Sequence, residues 1–275
     1  MTKYFCVSDV HSFFNELLES LRENGFEHDN GDHHLVICGD LFDRGPDSVK
    51  CFDFVKDLQE RGRLHYVRGN HEDLLCDLYH DILNNSVGHH HFSNGTVRTA
   101  VEILGLQSIY DIMGCDRDLL DKKLGEVLDF FQENCLEYFE VADHIFVHGW
   151  LPCISNDMNM YHARKEFTAI YDEWSNEYDS VDRDIAWESA RWINGMLAWS
   201  QGMRIPGKTV VCGHWHTSFG HAILHGKGTE FGIEDSCFDI FKDDGIIALD
   251  ACTAFSKKIN CFVLEVNDEE ESQNS

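Results

Sequence analysis

The sequence is poor in positive charge. Of its 275 residues, 22 are Lys or Arg and 49 are Asp or Glu, which gives a formal net charge of −27. Proteins that hold nucleic acid along their surface do so largely through Lys and Arg contacts with phosphate, so this balance argues against that class. The same charge would repel phosphorylated ligands at long range, whereas a basic peptide stays open as a partner.

Long apolar runs and Cys-x-x-Cys pairs are also missing. No apolar run approaches the ~20 residues of a membrane span. The strand-like segment 3–7 leaves no room before it for a secretory signal. The 11 cysteines are odd in number, and several lie in apolar strand-like runs, which is typical of small buried side chains in a reducing compartment. These features predict a cytoplasmic protein that is not bound to a membrane.

What the sequence does contain is five short polar motifs, each after an apolar run that is typical of a strand. They are Ser-Asp-Val-His (8–11), Gly-Asp-Leu-Phe-Asp-Arg-Gly (39–45), Arg-Gly-Asn-His-Glu (68–72), His-Gly (148–149) and Gly-His-Trp-His (213–216). A single Asp or Asn at a strand end more often caps a helix or forms a turn. Here, however, Asp9, Asp40 and Asn70 are about 30 residues apart, which fits successive strand–helix–strand units. The five motifs together therefore predict one site at the carboxyl ends of the strands.

With these motifs the chain resembles the calcineurin-like metallophosphoesterases, specifically the phosphoprotein phosphatase branch with its bacterial and phage relatives. The resemblance runs from residue 4 to about residue 265. It implies an α/β fold, a four-layer α/β/β/α sandwich of two mixed sheets, in a single domain over residues 1–267. Residues 84–140 are expected to form a loop and a helical cap inserted into that domain, and residues 268–275 an acidic, disordered tail.

Carboxylate, imidazole and amide donors without thiolates suit an open site for transition-metal ions. The resemblance implies two divalent ions, with Mn first and Fe, Zn, Co or Ni as alternatives. It implies that Asp40 bridges the two ions, and that the remaining ligands are Asp9 and His11 for one ion, and Asn70, His148 and His214 for the other. His216 stands where the wider superfamily has a further ligand for the first ion.

The resemblance also implies the catalytic residues. His71 would protonate the leaving group, Asp43 would hold the ring of His71 and favour its imidazolium form, and water shared by the two ions would be the nucleophile. Phosphate oxygens would be bound by guanidinium and amide groups, namely those of Arg44, Arg68, Asn70 and Arg191. Arg191 is included because it follows Trp187 at the spacing found in phage-type phosphatases; the alternative is an arginine on the solvent face of a helix.

Three consecutive histidines, His89 to His91, lie in the segment 84–99. A histidine run can bind metal, but the sequence shows no carboxylate framework around this one. The segment is therefore interpreted as an exposed loop.

The motifs resemble those of enzymes that act on two different classes of substrate. Those at 43–45 and 69–72 resemble protein phosphatases, whereas those at 213–215 and 247–250 resemble symmetrical dinucleoside-tetraphosphate hydrolases. A phosphomonoesterase acting on phosphoserine, phosphothreonine or small phosphoesters is the leading hypothesis. A dinucleoside-polyphosphate hydrolase is the alternative, with Trp150, Tyr161 and Trp215 as candidate walls for a base. A non-catalytic metal-binding interaction module is a third reading, which the presence of both His71 and Asp43 disfavours.

Overall fold

A computed structural model describes residues 1–155, 166–175, 181–232 and 234–267. Its strands are β1 (Thr2–Val7), β2 (His33–Cys38), β3 (Leu64–Val67), β4 (Cys135–Leu136), β5 (Phe139–Val141), β6 (His144–Phe146), β7 (Cys153–Ser155), β8 (Phe167–Ile170), β9 (Thr209–Cys212), β10 (Phe241–Asp243), β11 (Ile246–Ala248) and β12 (Phe262–Val266). Its α-helices are α1 (Phe14–Glu23), α2 (Ser48–Glu60), α3 (Asn70–Leu83), α4 (His89–Asn94), α5 (Thr96–Leu104), α6 (Arg117–Asn134), α7 (Val181–Ala190), α8 (Gly195–Ser200) and α9 (Thr253–Ser256). The predicted tail, 268–275, lies outside the described residues.

The strands form two mixed five-stranded sheets and a separate hairpin of β7 and β8. The first sheet has the order β12-β1-β2-β3-β4, and β1, β2, β3 and β4 are parallel. The second has the order β10-β11-β9-β6-β5, in which β11, β9 and β6 are parallel. In both sheets antiparallel strands lie at the edges, β12 in the first and β10 and β5 in the second.

Alternating side chains along the strands produce the layers. In β1, Phe5 and Val7 belong to the core under the helices, whereas Tyr4 and Cys6 belong to the core between the two sheets. Helices α1, α2, α3, α5 and α6 contribute to the first of these cores, and α7 and α8 pack against the second sheet. The predicted α/β/β/α sandwich of two mixed sheets is confirmed.

The inserted segment is more regular than the sequence suggested. Residues 84–99 were interpreted as an exposed loop, but α4 covers the histidine run, and His91 is fully buried with 0% exposure. That prediction was wrong because α4 packs against α5 and buries one side of a polar stretch. The helical prediction for residues 100–140 agrees with α5, a 3-10 turn at Ile109–Gly114, and α6.

Two further observations bear on the sequence predictions. Within the described residues, none of the helices combines the length and apolarity that crossing a bilayer requires.

Cys6, Cys38 and Cys212 are buried thiols in central strands, in keeping with their interpretation as small core side chains.

A pair of half-buried histidines packs against the core between the sheets. His65 on β3 stacks on Phe139 with ring centroids 4.0 Å apart, and its Nε2 is 3.1 Å from Nδ1 of His34. Burial, and then the proximity of His34, lowers the pKa of His65 to about 4. The folded state thus favours the neutral ring, whereas the unfolded chain takes up a proton near pH 6.5.

We predict that acid destabilises the protein partly through His65. Because the folded pKa is depressed, the free energy of unfolding should fall as the pH drops from about 6.5 towards about 4, and His65→Phe should remove on the order of 2 kcal/mol of that loss. Urea unfolding at several pH values would measure it. The exposed-site control His80→Phe should behave like the wild type, and identical pH profiles for all three proteins would refute the assignment.

Candidate active site

Five strand ends meet at one edge of the two sheets. β1, β2 and β3 of the first sheet and β6 and β9 of the second deliver one side chain each from the residues that follow them: Asp9, Asp40, Asn70, His148 and His214. All but His214 are almost fully buried. The carboxyl-end location predicted from the motifs is therefore where the structure brings these residues together.

The backbone turns sharply at these strand ends. Asp9, His11, Asp40 and His214 all have positive φ, between 50° and 64°. The left-handed conformation lets the chain turn directly after each strand, so that the side chains face a common centre. Gly213 allows the two sheets to meet there, since a Cβ at that position would lie 1.6 Å from Oγ of Ser8.

Asp40 lies between two groups of candidate metal ligands. Its Oδ2 is 4.0 Å from Nε2 of His11, and the nearby Oδ1 of Asp9 is 3.9 Å from the same nitrogen. Its Oδ1 is 3.3 Å from Nε2 of His148. One carboxylate with an oxygen towards each group has the placement that a bridging ligand needs.

Asn70 completes the second group. Its Oδ1 lies 2.8 Å from Nε2 of His148 and 2.9 Å from Nδ1 of His214. Six of the seven predicted metal ligands are thus gathered in one place.

The histidines of this centre present lone pairs to it. Nδ1 of His11 is 2.9 Å from the carbonyl of Phe42, and Nδ1 of His148 is 2.8 Å from that of Cys38. Each Nδ1–H can therefore donate to a carbonyl and leave Nε2 unprotonated, the arrangement usual for metal-ligating histidine. Burial, and then the proximity of Arg44 to His11 and of His214 to His148, lowers the pKa of His11 and His148 well below the ordinary value. Burial, and then the proximity of His71, lowers the pKa of His214 to about 3. All three are held in the neutral form that binds metal.

The carboxylates supply more negative charge than their neighbours balance. Burial raises the pKa of Asp9 and Asp40 well above the usual range, and the next contributions come from Asp250 on Asp9 and from Asp9 on Asp40. His11 and His148, which lie within 4.0 Å of these carboxylates, are held neutral. Buried carboxylates beside neutral imidazole and amide donors fit a pair of divalent cations, which would supply the missing charge.

His71 and Asp43 form a buried pair beside this centre. Nδ1 of His71 is 2.6 Å from Oδ2 of Asp43. Asp43 also accepts hydrogen bonds from the hydroxyls of Thr96, at 2.8 Å, and Thr99, at 2.7 Å. The opposite nitrogen of His71, Nε2, lies 3.8 Å from Oδ2 of Asp40. The ring is thus fixed with Nε2 towards the candidate metal centre.

The two threonines were missed by the sequence analysis. Both lie on α5, in the inserted segment, and no spacing in the chain connects them with Asp43. Only the packing of the insertion against the loop after β2 brings them together, so the sequence carried no signal for them.

Arg44 lies at the opening of the site. It is exposed, its Nη1 is 2.5 Å from Nε2 of His11, and its Nη2 is 3.1 Å from Nε2 of His71. The guanidinium therefore spans the candidate metal centre and the candidate acid, where a phosphate would have to enter.

The other two predicted phosphate-binding arginines are already paired with carboxylates. Nε of Arg68 and Nε of Arg191 each lie 2.6 Å from a different oxygen of Asp73, and Nη1 of Arg191 is 2.6 Å from Glu137. Arg191 is 7% exposed, so it is not an arginine on a solvent face. The pairing through Asp73 was not foreseen, and phosphate binding by Arg68 and Arg191 stays a prediction.

His216 is not brought into either ligand group. Its Nε2 is 3.2 Å from Glu230, and its ring packs between Trp215 and Phe231 with centroid distances of 5.7 and 4.7 Å. Asp250, which the sequence analysis treated only as part of a substrate motif, is buried beside Asp9 instead. The role predicted for His216 as a metal ligand has no support from this geometry.

The three aromatic residues predicted to line a nucleotide-base site differ in where they lie. Trp150 is 1% exposed and donates its indole N–H to the carbonyl of Met203, so it belongs to the core and cannot line a binding surface. That prediction was wrong, because a tryptophan directly after a strand end can point back under the sheet. Trp215 does lie beside His214, at a centroid distance of 6.1 Å. Tyr161 lies outside the described residues.

Comparisons with known proteins show the family and the fold of the chain. The family model described as calcineurin-like phosphoesterase matches residues 2–218. The chain is 36% identical over 203 residues to the asymmetrical bis(5'-nucleosyl)-tetraphosphatase PrpE of Bacillus velezensis, which covers 69% of this chain and 75% of that protein. It is 41% identical over 71 residues to serine/threonine-protein phosphatase 1 of Salmonella typhimurium, covering 26% of this chain and 30% of that protein. The fold is shared with the cold-active protein-tyrosine phosphatase of a Shewanella species, with a TM-score of 0.53, 17% identity, and 97% and 76% of the two chains covered.

We predict that Asp40→Asn weakens the binding of both metal ions, because the change removes one charge from a carboxylate whose two oxygens face the two ligand groups. Elemental analysis after dialysis should show well below two ions per chain and no turnover. His216→Ala, outside both groups, should retain the wild-type metal content. Full metal content in Asp40→Asn would remove Asp40 from the bridging role.

Proposed function

The chain belongs to the calcineurin-like phosphoesterase family. We propose that it is a phosphatase that hydrolyses phosphomonoesters with poor leaving groups, and that the buried His71–Asp43 pair protonates the leaving group. As a member of that family it is a metallophosphoesterase, a hydrolase whose family uses a dinuclear divalent metal centre. Phosphoserine and phosphothreonine, in proteins or peptides, are the proposed substrate class.

The residues proposed to hold the two ions share oxygen and imidazole donors: Asp9, His11, Asp40, Asn70, His148 and His214. When bound, the ions would offset phosphate charge and lower the pKa of water. Manganese is the proposed occupant, because it accepts mixed carboxylate and imidazole sites. The reducing compartment inferred from the buried thiols makes the cytoplasm the proposed location.

The observation that carries the substrate proposal is the 2.6 Å contact between His71 and Asp43. A serine or threonine alkoxide leaves poorly unless it receives a proton, so an acid fixed in place accelerates this step. Asp43 is fully buried and has two threonine donors, and it therefore holds the orientation of His71 without solvent competition. A nucleotide leaving group, by contrast, departs as a stable anion and needs such an acid less.

Arg44 is proposed to bind the phosphate. Its guanidinium lies against both His11 and His71, so a phosphate that accepts from it is placed next to the metal ligands and the acid together. A planar fork of donors suits two phosphate oxygens. Because its side chain is exposed, Arg44 can also make the first contact with an incoming anion despite the negative net charge.

A dinucleoside polyphosphate is the second candidate substrate. Trp215, His216 and Phe231 form a row of rings next to the metal ligand His214, and Phe231 is 75% exposed. Exposed rings of this kind can stack on a nucleotide base. The printed name of the Bacillus velezensis relative supports this candidate, and that name specifies asymmetrical cleavage, whereas the sequence motifs suggested symmetrical cleavage.

We predict that manganese-loaded protein cleaves p-nitrophenyl phosphate and a phosphothreonine peptide. Rates on these and on diadenosine tetraphosphate should be compared in one assay, with product analysis to separate two ADP from ATP plus AMP. Phe231→Ala should lower the rate on the dinucleotide and leave the other two rates unchanged. A strong preference for the dinucleotide would make the second candidate the function.

A further prediction concerns the leaving group. His71→Asn removes the acid but no proposed metal ligand, so metal content should stay near the wild-type value while turnover falls by ~10²–10⁴-fold on a phosphoserine peptide. The loss should be much smaller on p-nitrophenyl phosphate, whose leaving group needs little protonation. His80→Asn, on the exposed part of the same helix, is the matched control. Equal losses on both substrates with metals retained would show that His71 is not the leaving-group acid.

A further inference from the structure

A second cluster of potential metal ligands lies at the far end of α3. Asp81, near the carboxyl end of that helix, faces His90 and His91 of α4. One ligand atom from each of the three side chains lies within 4.8 Å of the others. The sequence shows no carboxylate framework around the histidine run, but α3 brings Asp81 next to it in the fold.

His91 is unusual because it is buried without full hydrogen bonding. Its exposure is 0%, and its Nε2 is 3.2 Å from Oδ2 of Asp81. Its Nδ1 is buried and has no hydrogen-bond partner among the described residues. Burial, and then the neighbouring His90, lowers the pKa of His91, so the ring favours the neutral form in which imidazole binds metal.

The spacing suits direct coordination. Metal–ligand bonds of about 2.0–2.1 Å in a tetrahedral zinc site place neighbouring ligand atoms about 3.3 Å apart, close to the observed contact between His91 and Asp81. His90 approaches the same place, with its ring centroid 3.9 Å from that of His91. Asp77, one turn earlier on α3, interacts electrostatically with both histidines and with Asp81.

We propose that Asp81, His90 and His91 bind one divalent cation of the zinc class, separate from the dinuclear centre. Two imidazoles and one carboxylate form a donor set that zinc accepts, with a fourth position open to water. A plain hydrogen bond between His91 and Asp81 would account for those two residues. It would give no reason for an exposed histidine, His90, to crowd against the buried one.

This site would connect two parts of the fold that matter for the acid. α3 starts at Asn70 and His71, whereas α4 leads through Gly95 to Thr96 and Thr99, the two donors to Asp43. An ion at the far end of α3 would tie that helix to α4. The inference does not depend on the substrate proposed above.

The test is zinc stoichiometry in the full chain, measured by elemental analysis after dialysis against buffered free Zn²⁺. His90→Ala should bind about one ion fewer per chain than the wild type, and its melting temperature should rise less on zinc addition. The exposed His90 is the main variant, since a buried residue such as His91 could be needed for folding. Asp81→Asn should give the same deficit.

His89→Ala is the matched control, because His89 is an exposed neighbour in the same run but outside the cluster. It should keep the wild-type zinc content. The zinc deficit of His90→Ala relative to His89→Ala should also persist when each of these two variants also carries Asp40→Asn. Its persistence would show that the missing ion does not belong to the dinuclear centre. If His90→Ala and His89→Ala bind equal zinc, or if both lose it equally, there is no built third site.

Discussion

The organisation of the active-site edge depends on burying the Asp40 carboxylate at the end of β2. Its Oδ1 accepts the backbone N–H of His71, and its own backbone N–H donates to Glu72. Glu72 in turn accepts from the backbone of Gly69, at 2.7 Å, and from the hydroxyl of Tyr66. The loops after β2 and β3 are thereby fixed against each other, so the proposed ligand Asn70 and the proposed acid His71 stand in register with Asp40. A buried carboxylate costs free energy unless charge and hydrogen bonds compensate it, and the site as a whole can be understood as that compensation.

Much of the fold, and the convergence of most proposed ligands on one site, could be predicted from sequence because their signals are local. A strand followed by a polar motif, repeated at regular spacing, is visible in the chain, and Asp9, Asp40 and Asn70 were found in this way. The partners of these residues are set by tertiary contacts that leave no local pattern. Thr96 and Thr99 reach Asp43 only after α5 packs, and Asp250 reaches Asp9 only when the two sheets meet. Asp73 on α3 joins Arg68, after β3, to Arg191, after α7.

The same distinction explains the errors. The histidine run was interpreted as a loop because its composition is polar. Composition does not show that the run forms α4 and that packing buries the face of that helix that carries His91. Trp150 was assigned to the wall of a nucleotide-base site because it lies two residues after the proposed metal ligand His148. The direction of a side chain after a strand end, however, depends on the backbone turn. His216 follows His214 closely in sequence, yet its ring points towards Glu230 and the neighbouring aromatic residues.

The left-handed backbone at the strand ends has an evolutionary consequence. Asp9, His11, Asp40 and His214 adopt a conformation that costs an ordinary residue about 1–2 kcal/mol and glycine almost nothing. At each of these positions the side chain that the proposed metal centre requires differs from the glycine that the backbone conformation prefers. At these four positions, selection for activity and selection for an unstrained backbone therefore favour different residues. Glycine would relieve the backbone strain at all four positions, but at Asp9 and Asp40 it would also remove the carboxylates that accept the backbone N–H groups of His214 and His71, so the strain is coupled to the hydrogen bonds that hold the strand ends together.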